Sequence, residues 1–121
     1  MTLKVLPFAL SICKLPPQGS LPLHSDFFFL GKTDEELSLV CPTEDVPAEF
    51  LDRSDGWRSF RIEGTLDFSL IGILSKITSI LADHGIGIFA VSTFNTDYIL
   101  VKQEHLECAM SALKRAGYEV I

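Results

Sequence analysis

Polar side chains able to hold a ligand concentrate in residues 66–101, where a loop, a helix and a hairpin are predicted. Amides at the start of the helix carry partial positive charge and can receive a carboxylate or phosphate without a basic side chain. At the hairpin tip, the carboxylate of Asp97 can receive an ammonium or guanidinium group. Receptors of opposite sign on neighbouring strand ends suit a zwitterion. The tip also carries residues that are common in turns with no ligand: Ser92, Thr93, Asn95 and Thr96.

Gly72 falls in the first turn of this predicted helix, where glycine costs about 1 kcal/mol relative to alanine. Two explanations fit equally well: the missing side chain lets a ligand approach, or it lets a neighbouring strand pack closely. Asp67 or Ser69 is the predicted N-cap, because either side-chain oxygen can accept a free amide of the first turn. Gly85 is the predicted left-handed residue after the helix.

The sequence contains few patterns that are typical of catalysis or metal binding. Ser69 has no adjacent base and no nucleophile elbow, and the three histidines lack metal-ligand spacing. Cys13, Cys41 and Cys108 are an odd number without a CxxC pair, which disfavours both a zinc site and a disulfide framework. Unpaired thiols are typical of the reducing cytosol. We therefore expect no catalytic residue, no metal and no cofactor.

Charge and hydropathy exclude several partners. The net charge is −6 and neither half carries a basic stripe, which disfavours nucleic acid and anionic membranes. No stretch approaches the roughly 20 apolar residues that span a bilayer. The apolar N-terminal run is interrupted by Pro7 and lacks the cleavage site of a signal peptide. We expect a soluble, cytoplasmic protein.

Hydrophobic periodicity predicts an α+β domain whose second half has the ferredoxin-like order βαββαβ. Residues 43–56 are acidic and turn-rich, and read as a connector with at most one helical turn. The predicted elements are strands at 3–15, 27–30, 37–40, 57–64, 86–94, 97–101 and 118–121, helices at 70–83 and 103–116, and a two-residue hairpin turn at Asn95-Thr96.

The two halves resemble each other. Residues 27–40 match residues 89–101 at a separation of 61, and residues 8–15 match residues 60–66. Between its matched strands the first copy has a Pro/Gly-rich link where the second has a helix. This predicts a degenerate internal repeat, with a truncated, helix-poor unit at 1–56 and a complete unit at 57–121. Two hydrophobic hairpins can also look alike by chance.

The order GILSKITSILADHGIGIFAVSTF, then a hairpin and LECAMSALKRAGYEV, resembles the ACT domain family of amino-acid-binding regulatory modules. More narrowly, LDFSLIGIL and IGIFAVSTFNTDYILV are similar to the tandem-ACT small bacterial proteins related to aspartate-kinase regulatory domains and the CASTOR arginine sensors. The resemblance implies a ferredoxin-like ACT fold in tandem. It also implies an amino-acid ligand held at an ACT–ACT interface, in a homodimer.

Ligand contacts in this family fall on the loop before the first helix and on the following hairpin. Ile71-Gly72 stands where many ACT units have Pro-Gly or Asn-Gly, so only the glycine is kept. The first unit lacks its helix, and two equivalent pockets per chain are not expected. The positions implied as ligand-binding are Ser69, Leu70, Ile71, Gly72, Thr93, Phe94, Thr96 and Asp97.

We therefore expect a non-catalytic, amino-acid-binding regulatory protein. One alternative is a structural interaction module that uses the same sheet edge without a ligand. Another is a small enzyme, which would require a base near Ser69 or a metal site.

Overall fold

A computed structural model of the chain describes residues 1–64 and 72–121, which form two compact units. We call residues 8–57 the hairpin unit, and residues 1–7 with 58–121 the helical unit. The predicted division after residue 56 falls inside a strand. In chain order the elements are β1 (Thr2–Val5), β2 (Leu10–Leu15), β3 (Phe29–Lys32), β4 (Leu37–Pro42), a 3-10 helix (Thr43–Asp45), β5 (Asp52–Ile62), α1 (Ile73–Asp83), β6 (Phe89–Ser92), β7 (Asp97–Lys102), a second 3-10 helix (Gln103–His105), α2 (Leu106–Arg115) and β8 (Glu119–Val120).

The helical unit has the predicted ferredoxin-like order, with one strand added from the N-terminus. β6 pairs with β7, and β7 pairs with β5. β1 lies between β5 and β8: Leu3 pairs antiparallel with Ile62 and parallel with Val120. The mixed α+β fold is thus confirmed, and residues 2–5 complete its sheet.

Both helices pack their apolar faces against this sheet. Apolar residues recur at helical spacing, so one stripe of each helix faces the strands. Gly85 ends α1 in the left-handed conformation (φ 71°), as predicted, and Gly117 does the same after α2 (φ 100°). The buried core comprises Leu3, Phe60, Ile62, Ile77, Leu81, Ile86, Ile99, Val101, Leu106, Ala109 and Leu113.

α1 begins at Ile73, three residues later than predicted, and its N-cap position is Gly72. The prediction of Asp67 or Ser69 as N-cap is therefore wrong; both residues themselves lie outside the described ranges. Gly72 has φ 80°, and no described residue lies within 4 Å of a Cβ built on it. The left-handed backbone, rather than a close neighbour, accounts for glycine here.

The hairpin unit is an antiparallel sheet in the order β3-β4-β2-β5. Its core contains the fully or nearly buried residues Cys13, Leu15, Leu37, Leu39 and Cys41. Leu21 and Phe28, from the link between β2 and β3, pack against this core, as does Val46 after the first 3-10 helix.

Two strand predictions in this region are wrong for identifiable reasons. The single strand expected at 3–15 is two strands, since Pro7 lacks an amide hydrogen and interrupts the pairing. β5 already starts at Asp52, where a connector was expected, because β2 supplies pairing partners such as Lys14. The register between the two strands shifts at a bulge beside Gly56, whose φ is 81°. Tertiary pairing overrides the turn-like composition.

The internal repeat is present, but its period is 60 residues and the expected value of 61 is wrong. Phe29 pairs with Val40 as Phe89 pairs with Leu100. The 3-10 helices at 43–45 and 103–105 keep the same spacing. The repeat therefore covers a hairpin and the 3-10 helix after it.

The two hairpin turns also match at this period. The Thr33 amide donates to the Glu36 carbonyl at 2.9 Å, and the Thr93 amide donates to the Thr96 carbonyl at 2.9 Å. Residues 94 and 95 thus occupy the centre of the second turn, so the predicted turn at 95 and 96 is wrong by one residue.

Pro47 explains why the first copy lacks the α-helix that follows the 3-10 helix in the second copy. In the helical unit the 3-10 helix leads directly into α2, whereas in the hairpin unit it stops at Val46, whose backbone is extended. Helical geometry is unfavourable for the residue before a proline, and proline has no amide hydrogen to donate to the next helical hydrogen bond. Glu107 holds the position corresponding to Pro47. None of the helices in the described ranges is long and apolar enough to cross a membrane.

Candidate functional site

The tip of the β6–β7 hairpin is a closed turn built on two threonines. Besides the amide bond from Thr93, the Thr93 hydroxyl donates to the Thr96 carbonyl at 3.0 Å. In return the Thr96 amide approaches the Thr93 hydroxyl oxygen at 3.4 Å. These bonds fix the turn geometry without a ligand, so Thr93 has a structural role in addition to its predicted one.

Thr96 anchors this turn to the neighbouring strand. Its side chain is only 7% exposed, and its hydroxyl donates to the carbonyl of Ile62 at 2.7 Å. Ile62 is the last residue of β5, and residues 65–71 follow shortly after it.

Asp97 supplies a carboxylate at the hairpin tip. It begins β7, pairs with Ser92 and is half-buried. Among the described residues its carboxylate has no ion-pair or hydrogen-bond partner. A half-buried carboxylate without a partner is a favourable place for an ammonium or guanidinium group, because a charge-assisted bond replaces incomplete hydration.

Phe94 forms the apex of the turn and is 79% exposed. A large aromatic side chain this exposed offers an apolar surface to whatever approaches the tip. Its role as a wall of the predicted site stays a prediction.

The loop side of the predicted site is described only at Gly72. Ser69, Leu70 and Ile71 lie outside the described residues. Gly72 has no side chain to accept an amide of the first turn, and its carbonyl accepts the Lys76 amide at 3.0 Å. The start of α1 therefore has no side-chain cap from its N-cap residue, which suits an anion receptor.

A neighbouring ion pair was not recognised as part of this surface from the sequence. Arg61 on β5 donates to Glu63 through Nε at 3.2 Å and through a terminal nitrogen at 3.4 Å. The hydrogen bond that Arg61 donates to Glu63 raises the pKa of Arg61, and a hydrogen bond with Tyr98 on β7 raises it further. Glu63 thus has an ion-pair partner, whereas the carboxylate of Asp97 has none among the described residues. Arg61 and Glu63 are two residues apart on one strand and therefore lie on the same face. This spacing could have predicted the ion pair from the sequence.

Among the described residues, no three of His, Cys, Asp and Glu are grouped so as to hold a metal ion. All three cysteines are free, with Cys13 and Cys41 buried and Cys108 exposed. Burial raises the pKa of Cys13, and burial together with the Cys13 thiol raises the pKa of Cys41 to about 12. These two thiols are held in the neutral form.

The helical unit thus defines a ferredoxin-like α+β module with an open carboxylate at its hairpin tip. The sequence model of the ACT domain matches residues 52–115. The chain belongs to the ACT domain family.

Curated relatives of the chain are longer proteins. It is 31% identical over 107 residues to the cytosolic arginine sensor for mTORC1 subunit 1 of Rattus norvegicus, and 32% identical to that of Mus musculus. Each match covers 83% of this chain and 31% of the relative. The chain therefore spans about a third of those proteins.

Solved structures extend the comparison. An X-ray structure of an Agrobacterium tumefaciens protein matches with a TM-score of 0.87 and 34% identity, covering 99% of this chain and 91% of that one. The ligand-free regulatory subunit of aspartate kinase from Thermus thermophilus matches with a TM-score of 0.62 and 14% identity, over 93% and 97% of the chains. The latter likeness concerns the fold alone. The resemblance to tandem-ACT, aspartate-kinase-related and arginine-sensor proteins is confirmed.

Proposed function

We propose that this protein is a non-catalytic, amino-acid-binding regulatory protein. The observation that carries the proposal is the half-buried Asp97 carboxylate, which has no described partner and lies at a hairpin tip that Thr96 anchors to the last residue of β5. Membership of the ACT domain family and the name of the curated relatives, an arginine sensor, support the same assignment.

Asp97 receives the positive group of the ligand in this proposal. The ligand carboxylate is received by the amides around Ser69, Leu70, Ile71 and Gly72. Thr93, Phe94 and Thr96 shape the hairpin side of the pocket. Since the longer rat relative is named an arginine sensor, amino acids with a cationic side chain are the first ligands to test.

The pocket is completed at an ACT–ACT interface, which we propose a second copy of the chain supplies in a homodimer. Regulation follows if the ligand binds one arrangement of units better than another, because only differential affinity shifts populations. We place the protein in the cytoplasm, as the relatives' names suggest.

A thermal-shift screen of the twenty amino acids tests this function. A specific ligand at a hundredfold excess over its Kd stabilises the folded state by about 2.7 kcal/mol, or about 10 °C for a chain of this size. Asp97→Asn should remove most of that shift. Asp83→Asn, the same change at the exposed end of α1, serves as the control and should retain it.

Two outcomes would contradict the proposal. If no amino acid raises the melting temperature, the chain is better explained as an interaction module without a ligand. If a ligand is found but Asp97→Asn binds it as tightly as the parent, the site lies elsewhere.

A further inference from the structure

Two cysteine side chains lie in contact inside the core of the hairpin unit. Cys13 on β2 and Cys41 on β4 are 2% and 0% exposed, and both belong to the apolar cluster that contains Leu15, Leu37 and Leu39. Their thiols hydrogen bond to each other. The unit therefore holds two sulfur ligands side by side, away from solvent.

The strand register places both thiols on one face of the sheet. Cys13 pairs with Leu39 and Ser11 pairs with Cys41, so the two cysteines are diagonal neighbours across β2 and β4. Diagonal neighbours have Cα atoms about 7–8 Å apart. A disulfide needs Cα atoms closer than about 7 Å unless the backbone moves. An atom that bridges the two sulfurs fits this separation better than a direct sulfur–sulfur bond.

A cation lies beside the two thiols. Arg53 on β5 pairs with Cys13 across the sheet. Burial raises the pKa of each thiol, and the positive charge of Arg53 opposes that rise at both. Two thiolates that share one monovalent metal ion carry a single net negative charge. A neighbouring guanidinium group stabilises such a charge.

Arg53 is itself oriented by a chain of hydrogen bonds. Its Nε and a terminal nitrogen donate to Oδ1 of Asp55 at 3.0 and 2.9 Å. The same oxygen accepts the hydroxyl of Ser11 at 2.6 Å, and Ser11 is fully buried. Groups that lie just behind the ligands in this way hold the charge around a metal site in place.

The segment that covers the thiols contains no helix or strand. Residues 16–28 connect β2 to β3, and Leu21 and Phe28 of this link pack on the cysteine cluster. The side chain of His24 contacts Asp45 in the first 3-10 helix at 3.3 Å. A link without strand or helix hydrogen bonds opens locally at a low free-energy cost, and this opening gives an ion a path to the sulfurs.

We propose that Cys13 and Cys41 form a two-coordinate site for a soft monovalent cation, Cu(I). Thiolate ligands select soft ions such as Cu(I), and two sulfurs satisfy its linear coordination. Structural zinc takes four ligands, and the described residues place no third His, Cys, Asp or Glu with this pair. Binding forms two Cu–S bonds and breaks two S–H bonds: Cu⁺ and two thiols give a bis-thiolate complex and two protons, which pass to solvent. The site does not depend on the proposed function of Asp97.

The test supplies Cu(I) anaerobically to the full chain together with a chromogenic Cu(I) chelator, whose absorbance reports the copper that the protein takes up. The parent should take one equivalent. Cys13→Ser and Cys41→Ser should each lose this uptake, whereas Cys108→Ser, at the exposed cysteine, should retain it. Arg53→Gln should raise the Kd about tenfold. Lys14→Gln removes a positive charge from the opposite face of β2 and should alter the Kd by less than about twofold.

The pH dependence of the parent tests the same site without any substitution. Both thiols of the free protein stay protonated between pH 6 and pH 8, because the pKa of Cys13 is raised and that of Cys41 is about 12. The release of two protons should tighten the Kd about a hundredfold per pH unit, whereas a site with one thiolate gives about tenfold.

Three results would overturn the proposal. The first is a parent chain that takes no copper from the chelator, and the second is a pH slope that corresponds to one proton. The third is a Cys41→Ser variant, shown to be folded by circular dichroism, that still takes one equivalent with the parent Kd. Loss of uptake in Cys108→Ser would equally place the copper at the exposed thiol.

Discussion

Thr96 is an example of a predicted ligand contact whose hydroxyl is already used within the fold. Its donation to the Ile62 carbonyl at 2.7 Å takes place in a buried setting. The residue types at the hairpin tip suggested several open polar groups, but sequence alone does not indicate which hydroxyls fold back onto the main chain. The carboxylate of Asp97 has no partner among the described residues, and its contact with a ligand stays a prediction.

Thr96→Val should destabilise the protein by about 1–2 kcal/mol. The substitution conserves shape but leaves the buried Ile62 carbonyl without this donor. Urea denaturation measures the change. Thr78→Val is the matched control: the hydroxyl of Thr78 bonds the Ser75 carbonyl of its own helix, so its loss should cost less than about 0.5 kcal/mol. Equal losses at the two positions would contradict a special role for Thr96.

The buried thiols predict a loss of stability in alkali. The pKa of Cys41 is raised to about 12 by burial and by the Cys13 thiol, whereas an unfolded thiol titrates near 8.5. Below that value both states hold the proton and the thiol has no effect on the pH dependence of folding. As the pH rises from about 8.5 towards 12, only the unfolded state releases its proton, so the free energy of unfolding falls.

Urea denaturation at pH 7 and pH 10 measures this effect. The free energy of unfolding should fall less between pH 7 and pH 10 when Cys41 is replaced by valine, by about 2 kcal/mol. Cys108→Ser, at an exposed position, should leave it unchanged. An identical pH dependence in the Cys41 variant and the parent would show that the thiol is not held neutral.

At the scale of elements, the sequence predicted the helices and strands that have strong hydrophobic periodicity. It missed the element boundaries that depend on strand pairing or on a single backbone angle. α1, α2 and both hairpins follow from apolar spacing and from glycines after the helices. The first half of β5 could not be predicted from DRSDG, since its strand geometry comes from hydrogen bonds to β2. The start of α1 depends on the left-handed angle of Gly72, and no residue pattern reports that angle.

Gly72→Ala should therefore destabilise the protein by about 1–2 kcal/mol. A Cβ added to residue 72 would meet no described atom within 4 Å, but the φ of this residue is 80°, where an L-amino acid is strained. Gly87→Ala is the control, because its surroundings are equally open and its φ is not in the left-handed region. Thermal unfolding of the two variants compares them directly. A neutral Gly72→Ala would mean that α1 can begin without the left-handed residue.

At the scale of the molecule, the repeat explains why one chain carries two unlike units. The hairpin and the 3-10 helix are retained at a period of 60 residues, and Pro47 prevents the second helix in the first copy. The sequence could suggest the duplication but not its period, because two hydrophobic hairpins align almost equally well one residue apart. The pairing of Phe29 with Val40 and of Phe89 with Leu100 decides the register.

If a second copy completes the Asp97 pocket, ligand binding and dimerisation are thermodynamically linked. The ligand should strengthen association by the same factor by which association strengthens ligand binding, typically about 5–150-fold. Sedimentation velocity over a concentration series, with and without the amino acid identified by thermal shift, measures the dimer dissociation constant in both conditions. Asp97→Asn should abolish the ligand dependence while leaving ligand-free association near the parent value, and Asp83→Asn should preserve both. A ligand that binds wild type at full strength without altering the dissociation constant would place the pocket within a single copy, because a site shared between two chains cannot be filled without favouring the state that contains it.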